Sequence, residues 1–467
     1  MNTQLWQLDA TDLARLIRTG RASSREATQS CLARMHAVNP RLNAVVRFMD
    51  EEALAAADAA DEARAKGAAL GLLHGVPVTI KVNVDQVGHP TDNGVVAFKD
   101  AIATEDNPVV GSFRQAGAVI IGRTNVPAFS MRAFSDNALH GRTTNPRDPA
   151  LSAGGSSGGA GSAVASGIGP IGHGNDIAGS VRIPALFNGI VGLRASFGRI
   201  AAFNPSLKAG RPLAAQLMAV QGPLTRTVRD ARLALAAMSV GDARDTRWVD
   251  TPLQGSAVAR PIRVALVAEN PGGALQPAQA EAVHMAGRHL AAAGYAVEMV
   301  SPPDMNEAID DFFTILSTDV LAALAPQMQQ YGDEDAKKSM ALWLELMPPS
   351  DLAGVLGAFA RRDLYLHHWL TFLQHFPIVI LPTMGGLAPA HDLDTTREGQ
   401  IRMIDMMRVA QLSPMLGLPA LAVPVGHHGR LRTGVQILAA RFREDLCLDA
   451  GEVIEAAEGT VSPIDPT

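Results

Sequence analysis

The sequence is poor in cysteine, in aromatic residues and in charge, and each scarcity excludes a class of protein. Only Cys31 and Cys447 occur among 467 residues, without a CxxC spacing, so neither a disulfide framework nor a thiolate metal site is expected. A reducing cytoplasm is therefore the expected location. Aromatic residues make up 4% and charged residues 18%, and the net charge is −6. No basic stretch carries interleaved aromatic residues, which argues against nucleic-acid binding.

Long apolar runs are scarce as well. The longest, such as residues 378–381, have the length of a strand and are far too short to span a membrane. Residues 1–21 include Asp9 and Asp12 and lack the apolar stretch of a signal peptide. No association with a membrane is therefore expected.

Apolar residues are abundant, at 47%, and strand and helix patterns alternate along the chain. Residues 1–70 predict helices, including Ser23–Met35, with Glu26 placed for a capping box, and Glu51–Lys66. Further predicted elements are strands at 75–84, 118–122, 262–267, 377–381, 421–425 and 434–438, and helices at 107–117 and 277–293. Such alternation predicts an α/β fold in which helices cover both faces of a mixed, mainly parallel sheet.

The most informative stretch is rich in glycine and serine. Residues 152–159 have the sequence SAGGSSGG, and residues 174–182 have the sequence GNDIAGSVR. Taken alone, the first part is equally consistent with a flexible turn. It lacks the Gly-Lys-Ser/Thr of a Walker A loop and the GxGxxG of a dinucleotide site, and Ser180 is not in a GxSxG elbow. A lysine within an apolar strand, Lys81, precedes both parts.

The succession of a strand lysine, the loop at 152–159 and the turn at 174–182 resembles the amidase signature family. Lys81 matches the family's strand lysine, Ser156 matches its bridging serine, and Ser180 matches its nucleophile in Gly-x-Asp-x-Gly-Gly-Ser-[Ile/Val]-Arg. Further segments resemble the family at 125–131, 192–199, 222–228, 417–426 and 434–436. The resemblance implies one domain over residues 1–467, with an N-terminal helical segment at 1–70 and the catalytic core motifs at 71–240.

The three matched residues suit the cleavage of an amide. A serine hydroxyl is a poor nucleophile near neutral pH and needs an adjacent base. A buried lysine can be that base because desolvation lowers its pKa, although Lys81 could instead pair structurally with a carboxylate. The resemblance implies that neutral Lys81 draws a proton from Ser180 through Ser156, which follows a cis peptide bond after Gly155. Ser157 is the alternative relay, but the separation from Ser180 favours Ser156 and leaves Ser157 a supporting role.

The resemblance also assigns roles to the surroundings of Ser180. The expected oxyanion hole consists of the backbone N–H groups of Ile177, Ala178, Gly179 and Ser180. Asp176 and Arg182 are expected to brace this turn, with a plain salt bridge as the alternative.

The substrate pocket is less well defined by the sequence. Its expected lining includes Phe129, Met131, Gly155 and Phe203. Residues 305–372 look helical and irregular, and they either form an insertion or lid near the pocket or pack as ordinary helices. His140 and His173 lie near the motifs and either line the pocket or have structural roles.

Three positions depart from the family pattern. Ala178 replaces the usual glycine, and its methyl group would strain the turn if φ were positive; it would also narrow access for the acyl group. Asn175 replaces a serine or threonine, and Val82 replaces the common aspartate after the lysine. Both of these changes affect the surroundings of the lysine.

The expected function is hydrolysis of a small-molecule amide through an acyl-enzyme, without a metal or another cofactor. Candidate substrates are aliphatic amides, aryl amides and indoleacetamide-like compounds. The alternatives are a catalytically inactive scaffold, an ester or carbamate hydrolase with the same residues, and an amidotransferase A-type subunit. Homodimers are common in the family, so a homodimer is an expectation here.

Overall fold

Helices and strands alternate along the described part of the chain, residues 4–207 and 210–467 of the computed structural model. Residues 1–3 of the predicted N-terminal segment lie outside these ranges. The helices are α1 (Ala10–Arg18), α2 (Ser24–Leu42), α3 (Asp50–Ala65), α4 (Pro108–Gln115), α5 (Gly158–Ala165), α6 (Arg182–Asn188), α7 (Leu213–Met218), α8 (Val228–Met238), α9 (Pro277–Ala292), α10 (Met305–Asp319), α11 (Ala325–Tyr331), α12 (Glu334–Leu346), α13 (Leu352–His375), α14 (Arg397–Met407), α15 (Leu412–Leu416) and α16 (Glu444–Glu458). The strands are β1 (Val45–Phe48), β2 (Pro77–Lys81), β3 (Val119–Thr124), β4 (Thr144–Asn145), β5 (Asp148–Ser152), β6 (Ile171–Asp176), β7 (Val191–Arg194), β8 (Val220–Thr225), β9 (Arg263–Leu266), β10 (Ala296–Met299), β11 (Ile378–Pro382), β12 (Ala420–His428) and β13 (Leu431–Leu438).

One sheet contains eleven of these strands, in the order β1-β3-β2-β6-β8-β7-β12-β13-β11-β9-β10. β2 pairs in parallel with β3 and β6, and β9 pairs in parallel with β10 and β11. The strand pairs between these two groups are antiparallel, as is the pair β1–β3. The predicted mixed α/β sheet is confirmed. Its parallel pairs lie in two groups, and parallel pairing is less extensive than the alternation of elements indicated.

Helices cover both faces of this sheet, as predicted. Side chains alternate between the faces along a strand, and those of β9 and β11 divide accordingly between two apolar clusters. Val264 and Ile380 belong to the cluster that includes side chains of α8, α9 and α16. Ala265 and Leu381 belong to the cluster that includes side chains of α10, α13 and α15.

Local signals in the sequence account for several element boundaries. Ser23 caps α2, and Glu26 completes the predicted capping box. α2 continues past its predicted end at Met35 to Leu42. The first 70 residues are not all helical, because residues 45–48 form β1 at the edge of the sheet. Its sequence, Val-Val-Arg-Phe, does not alternate strictly between apolar and polar residues, which is the pattern that identifies a half-buried strand.

The segment 305–372 is helical, as predicted, and comprises α10, α11, α12 and most of α13. A π-helical turn at Val320–Leu324 separates α10 from α11. None of the described helices is both long enough and apolar enough to cross a membrane.

Candidate active site

The site forms where the parallel strands β2 and β6 end beside each other. β2 ends at Lys81 and β6 ends at Asp176, and parallel pairing puts both ends at the same edge of the sheet. Every residue of β2 is buried, and the exposed fraction of Lys81 is 0%. The strand therefore carries the lysine amine into the interior of the protein.

Three side chains surround this amine. Lys81 Nζ lies 2.7 Å from Ser156 Oγ, 3.0 Å from Ser157 Oγ and 2.8 Å from Asn175 Oδ1. Burial lowers the pKa of Lys81 well below the usual value of a lysine, and the carboxylate of Asp176 opposes this shift only in part. An uncharged amine can accept a proton from a hydroxyl group, so Lys81 has the chemistry of a base toward Ser156.

The loop before α5 presents both serines to the amine. The peptide bond between Gly155 and Ser156 is cis, as the family resemblance implied. A Cβ atom on Gly155 would lie 2.4 Å from the backbone oxygen of Arg132, so the close backbone approach requires glycine. Ser156 and Ser157 are buried, and the Ser157 N–H donates to the backbone carbonyl of Ser180 at 3.2 Å. This hydrogen bond joins the serine loop to the turn that carries Ser180.

The turn between β6 and α6 is held by the carboxylate of Asp176. It accepts hydrogen bonds from the N–H groups of Gly179 at 2.9 Å and Val181 at 3.2 Å. Arg182 Nε and Nη2 each donate to it at 3.0 Å, and Arg194 Nη1 donates to the Asp176 carbonyl at 2.6 Å. Burial alone would raise the pKa of Asp176, but the guanidinium groups of Arg182 and Arg194 hold it below its usual value. The bracing and the salt bridge proposed for Asp176 and Arg182 are thus one arrangement.

Ser180 is partly buried in the wall of a cavity that Ser156 also lines. Among the described residues, the Ser180 hydroxyl has no hydrogen-bond partner. The structure therefore brings Lys81 and Ser156 into direct contact, and it places Ser180 in the same cavity without a hydrogen bond to Ser156.

The four predicted oxyanion donors differ in whether their N–H groups already have a hydrogen-bond acceptor. Within the described chain, the N–H groups of Ile177, Ala178 and Ser180 have no hydrogen-bond acceptor, whereas the Gly179 N–H is already bonded to Asp176. Gly179 has a φ of +98°, in the region that favours glycine. Ala178 is not among the described residues with positive φ, so the strain considered for its methyl group does not arise.

The cavity has a volume of about 620 Å³. The predicted contact residues Phe129, Met131, Gly155 and Phe203 all lie in its wall. The segment 305–372 contributes a largely apolar part of the wall from α10, the π-helical turn and α12: Leu316, Val320, Ala323, Leu324, Met340 and Trp343. Such a pocket has the size and apolar character of a small-molecule site.

Sequence reasoning missed several supporting residues. Asn83 donates through Nδ2 to Asn175 Oδ1 at 3.2 Å, and Arg182 Nη1 donates to Gln436 Oε1 at 2.7 Å. Arg194 lies in a segment that matches the family, but its role at the turn does not follow from that match. Arg194 in β7 and Gln436 in β13 are fully buried. The signal that could have identified them in the sequence was a polar residue among the apolar residues of a strand.

Known proteins resemble this chain over nearly its whole length. The sequence model of the family described as Amidase matches residues 26–448. The chain belongs to the amidase family. An indoleacetamide hydrolase of Bradyrhizobium diazoefficiens is 45% identical to this amidase over 460 residues, which are 98% of the chain and 88% of that relative.

Two further similarities support the family and the fold. The A-type subunit of the glutamyl-tRNA(Gln) amidotransferase of Chromohalobacter salexigens is 30% identical to this amidase, over 96% of both chains. The structure of 6-aminohexanoate cyclic dimer hydrolase in complex with substrate has a TM-score of 0.85 and 28% identity, and the match covers 98% of both chains. The protein is therefore a hydrolase that cleaves amides, with the amidase signature fold.

The two histidines near the motifs have structural contacts in this amidase. His173 Nε2 lies 2.8 Å from Gln221 Oε1, and its Nδ1 accepts the Lys81 backbone N–H at 3.3 Å. Burial lowers the pKa of His173 to about 3. His140 Nε2 lies 3.1 Å from Asp92 Oδ1. Neither histidine is among the described residues that line the cavity.

One group of carboxylates in the amidase has the compactness of a metal site. Oxygen atoms of Asp136, Asp335 and Asp392 lie within 4.8 Å of one another. Arg142 pairs with Asp136 and Asp392, and Arg132 pairs with Asp392 and lies 3.9 Å from Asp335. Because guanidinium groups already neutralise these carboxylates, we interpret the group as an ion-pair network.

Proposed function

We propose that this amidase forms an acyl-enzyme on Ser180, with Ser156 as the proton relay and Lys81 as the base. The observation that carries the proposal is the 2.7 Å hydrogen bond between Ser156 Oγ and the fully buried Nζ of Lys81. Burial removes solvation from the charged form of Lys81 and lowers its pKa, which favours the uncharged amine that can act as a base. The side chain of Ser180 lies in the cavity that Ser156 lines, as the relay requires.

In the proposed reaction the Ser180 oxygen attacks the amide carbonyl carbon. Its proton passes to Ser156 Oγ as the Ser156 proton passes to Lys81 Nζ, which leaves a tetrahedral oxyanion on the substrate. Collapse of this intermediate breaks the C–N bond, and the relay returns a proton to the leaving nitrogen. Water then attacks the ester of Ser180 with the same base, which releases the carboxylic acid and restores the hydroxyl.

The transfer between the two serines requires the Ser180 hydroxyl to turn toward Ser156. Catalytic hydrogen bonds are often long or unformed before substrate binds and tighten only in the complex. A serine side chain needs only a rotation about its Cα–Cβ bond to change partners. We therefore place the formation of this hydrogen bond in the substrate complex.

The oxyanion is assigned to the backbone donors of the turn that remain free. Ile177, Ala178 and Ser180 line the cavity and have unengaged N–H groups within the described chain. The bond from Gly179 to Asp176 holds the turn in shape instead. One such donor typically lowers a barrier by about 2.7–4 kcal/mol. The acyl-group selection proposed for the Ala178 methyl stays a prediction.

The proposed substrate class is the primary amide of an arylacetic acid, such as indole-3-acetamide. The 45% identical relative is an indoleacetamide hydrolase. The cavity supports this choice because apolar and aromatic side chains, including Phe98, Phe129 and Trp343, lie in its wall. They offer contact area to an aromatic ring, while Ser180 is in the same wall to receive the amide.

A fluorophosphonate is expected to label wild-type protein at Ser180, because this reagent reacts with an activated serine hydroxyl. Mass spectrometry of the digested protein identifies the modified residue. Ser180→Ala should lose both the labelling and the hydrolysis of indole-3-acetamide, and Ser166→Ala, at a buried serine outside the cavity wall, is the matched control. Labelling of Ser156 or Ser157 instead, or unchanged hydrolysis in Ser180→Ala, would contradict the assignment.

The same protein, purified alone, separates the alternatives in a substrate panel. The panel comprises indole-3-acetamide, phenylacetamide, an aliphatic amide, an anilide, an ester and a carbamate. The proposal expects the highest kcat/KM on the two arylacetamides. A preference for the ester or the carbamate would favour an ester or carbamate hydrolase with the same catalytic residues. Activity only with added partner proteins would favour an amidotransferase A-type subunit. The division of the domain into segments 1–70, 71–240 and 305–372, the cytoplasmic location and the homodimer stay predictions.

A further inference from the structure

A row of polar side chains connects Lys81 with the cavity wall near Phe129. Asn175 accepts from Lys81 Nζ at 2.8 Å and donates through Nδ2 to Asn83 Oδ1 at 2.9 Å. Asn83 Nδ2 donates to Ser130 Oγ at 3.0 Å, and Ser130 Oγ donates to Asn93 Oδ1 at 2.7 Å. Asn83, Asn93, Ser130 and Asn175 all line the cavity.

The row has one consistent set of hydrogen-bond directions. Ser130 gives its only proton to Asn93 Oδ1, so it must receive one from Asn83 Nδ2. Asn83 then turns its Oδ1 toward Asn175 Nδ2, which leaves Asn175 Oδ1 facing Lys81. An amide oxygen has no proton to give. Asn175 can therefore only accept a hydrogen bond from the lysine amine.

The other two neighbours of the amine complete the pattern. A neutral amine has two N–H groups and one lone pair. Asn175 Oδ1 takes one N–H, and Ser157 Oγ takes the other at 3.0 Å, because the Ser157 hydroxyl has the backbone carbonyl of Asn175 at 3.5 Å as its own acceptor. Within the described chain, the Ser156 hydroxyl has no acceptor except Lys81 Nζ. The lone pair of the amine is thus left for the Ser156 proton.

We propose that Asn175 is a positioning residue that aims the lone pair of Lys81 at Ser156. This inference rests on the proposed function and deepens it, since it explains why Ser156 rather than Ser157 delivers the proton. The side-chain amide of Asn175 suits this role better than a hydroxyl or a carboxylate would. A hydroxyl can donate as well as accept, and a carboxylate would stabilise the charged form of the lysine.

The charged groups around the amine are few. Asp176 is the acidic group that acts on Lys81, and Arg182 and Arg194 neutralise it. His173, which contacts the Lys81 backbone, is uncharged at neutral pH because burial lowers its pKa to about 3. A new carboxylate at position 175 would therefore dominate the charge close to the amine.

The test compares the pH dependence of kcat and kcat/KM for indole-3-acetamide in wild type and three variants of residue 175. Asn175→Ala removes the acceptor, and we expect kcat to fall about ten- to a hundredfold with little change in KM. Asn175→Thr restores an acceptor and should recover most of this loss. Asn175→Asp should move the acid limb of kcat/KM up by about one pH unit or more, because a carboxylate favours the charged lysine.

Asn306→Asp, an exposed asparagine on α10, is the control for the added charge and should match wild type. A kcat of Asn175→Ala within twofold of wild type, or an unshifted acid limb in Asn175→Asp, would overturn the inference. Circular dichroism of each variant confirms folding, and the isosteric Asn175→Asp keeps the test open if Asn175→Ala does not fold. Fluorophosphonate labelling of wild-type Ser180 separates a failure of this inference from a failure of the proposed function. Absence of that labelling would refute the proposed function.

Discussion

Lys81→Met is expected to lower kcat/KM for amide hydrolysis at neutral pH by about 10²–10⁴-fold, the usual contribution of a general base. Methionine nearly fills the volume of the lysine in its fully buried position but offers no amine to accept the Ser156 proton. Steady-state kinetics on indole-3-acetamide measure the loss. Lys66→Met, at an exposed lysine, is the matched control and should behave as wild type.

The pH profile of the same pair tests the charge state. The proposed base is the uncharged form of Lys81, whose pKa burial lowers well below the usual value. Wild-type activity should therefore be complete above this lowered pKa and should fall as the pH decreases through it. Lys81→Met should lack this acid limb. Retention of the limb in a folded Lys81→Met protein would assign it to another group and contradict the proposed base.

Asp176→Asn is expected to lower the free energy of unfolding by about 3–5 kcal/mol, the usual cost of removing one partner from a buried ion pair. The Asp176 carboxylate is fully buried between Arg182 and Arg194, and asparagine would leave both guanidinium groups without their counter-charge. It would also weaken the acceptor of the Gly179 and Val181 N–H groups, so the turn before Ser180 would loosen.

Urea denaturation followed by circular dichroism measures this effect. Glu298→Gln is the matched control, because it removes one carboxylate from the exposed ion pair with Arg263 and should leave the midpoint close to that of wild type. An Asp176→Asn midpoint equal to that of the control would contradict the role of Asp176 as the anchor of the turn.

Much of the fold was predictable where a single physical signal dominated. β-branched apolar runs predicted β3 and β11, and Asn107 with Pro108 predicted the start of α4, where Asn107 accepts from the Val109 N–H. β6 gave no such signal, since it contains Gly172, Gly174 and three polar residues among its six. Its strand conformation depends on the pairing with β2 and β8, which only the folded chain provides.

The candidate site was likewise predictable from the sequence only in part. The resemblance of Lys81, the Gly/Ser loop and the Ser180 turn to the amidase signature family, rather than their local composition, predicted that these residues lie together. Ser156 and Ser180 line one cavity, and Lys81 contacts Ser156. The bond from Gly179 to Asp176 and the path from Asn175 to Ser130 were not predictable. They depend on side-chain directions in three separate segments, around residues 83, 130 and 175–179, and no local pattern records these.

The central claim is that Lys81 and Ser156 act as one relay on Ser180. The most direct measurement is the rate constant of Ser180 phosphonylation by a fluorophosphonate in wild type, Ser156→Ala, Lys81→Met and the double variant. Members of one relay are not additive, so both single variants should react slowly and the double variant no more slowly than the slower single variant. Labelling at the wild-type rate in either single variant, or rate losses that multiply in the double variant, would contradict the claim.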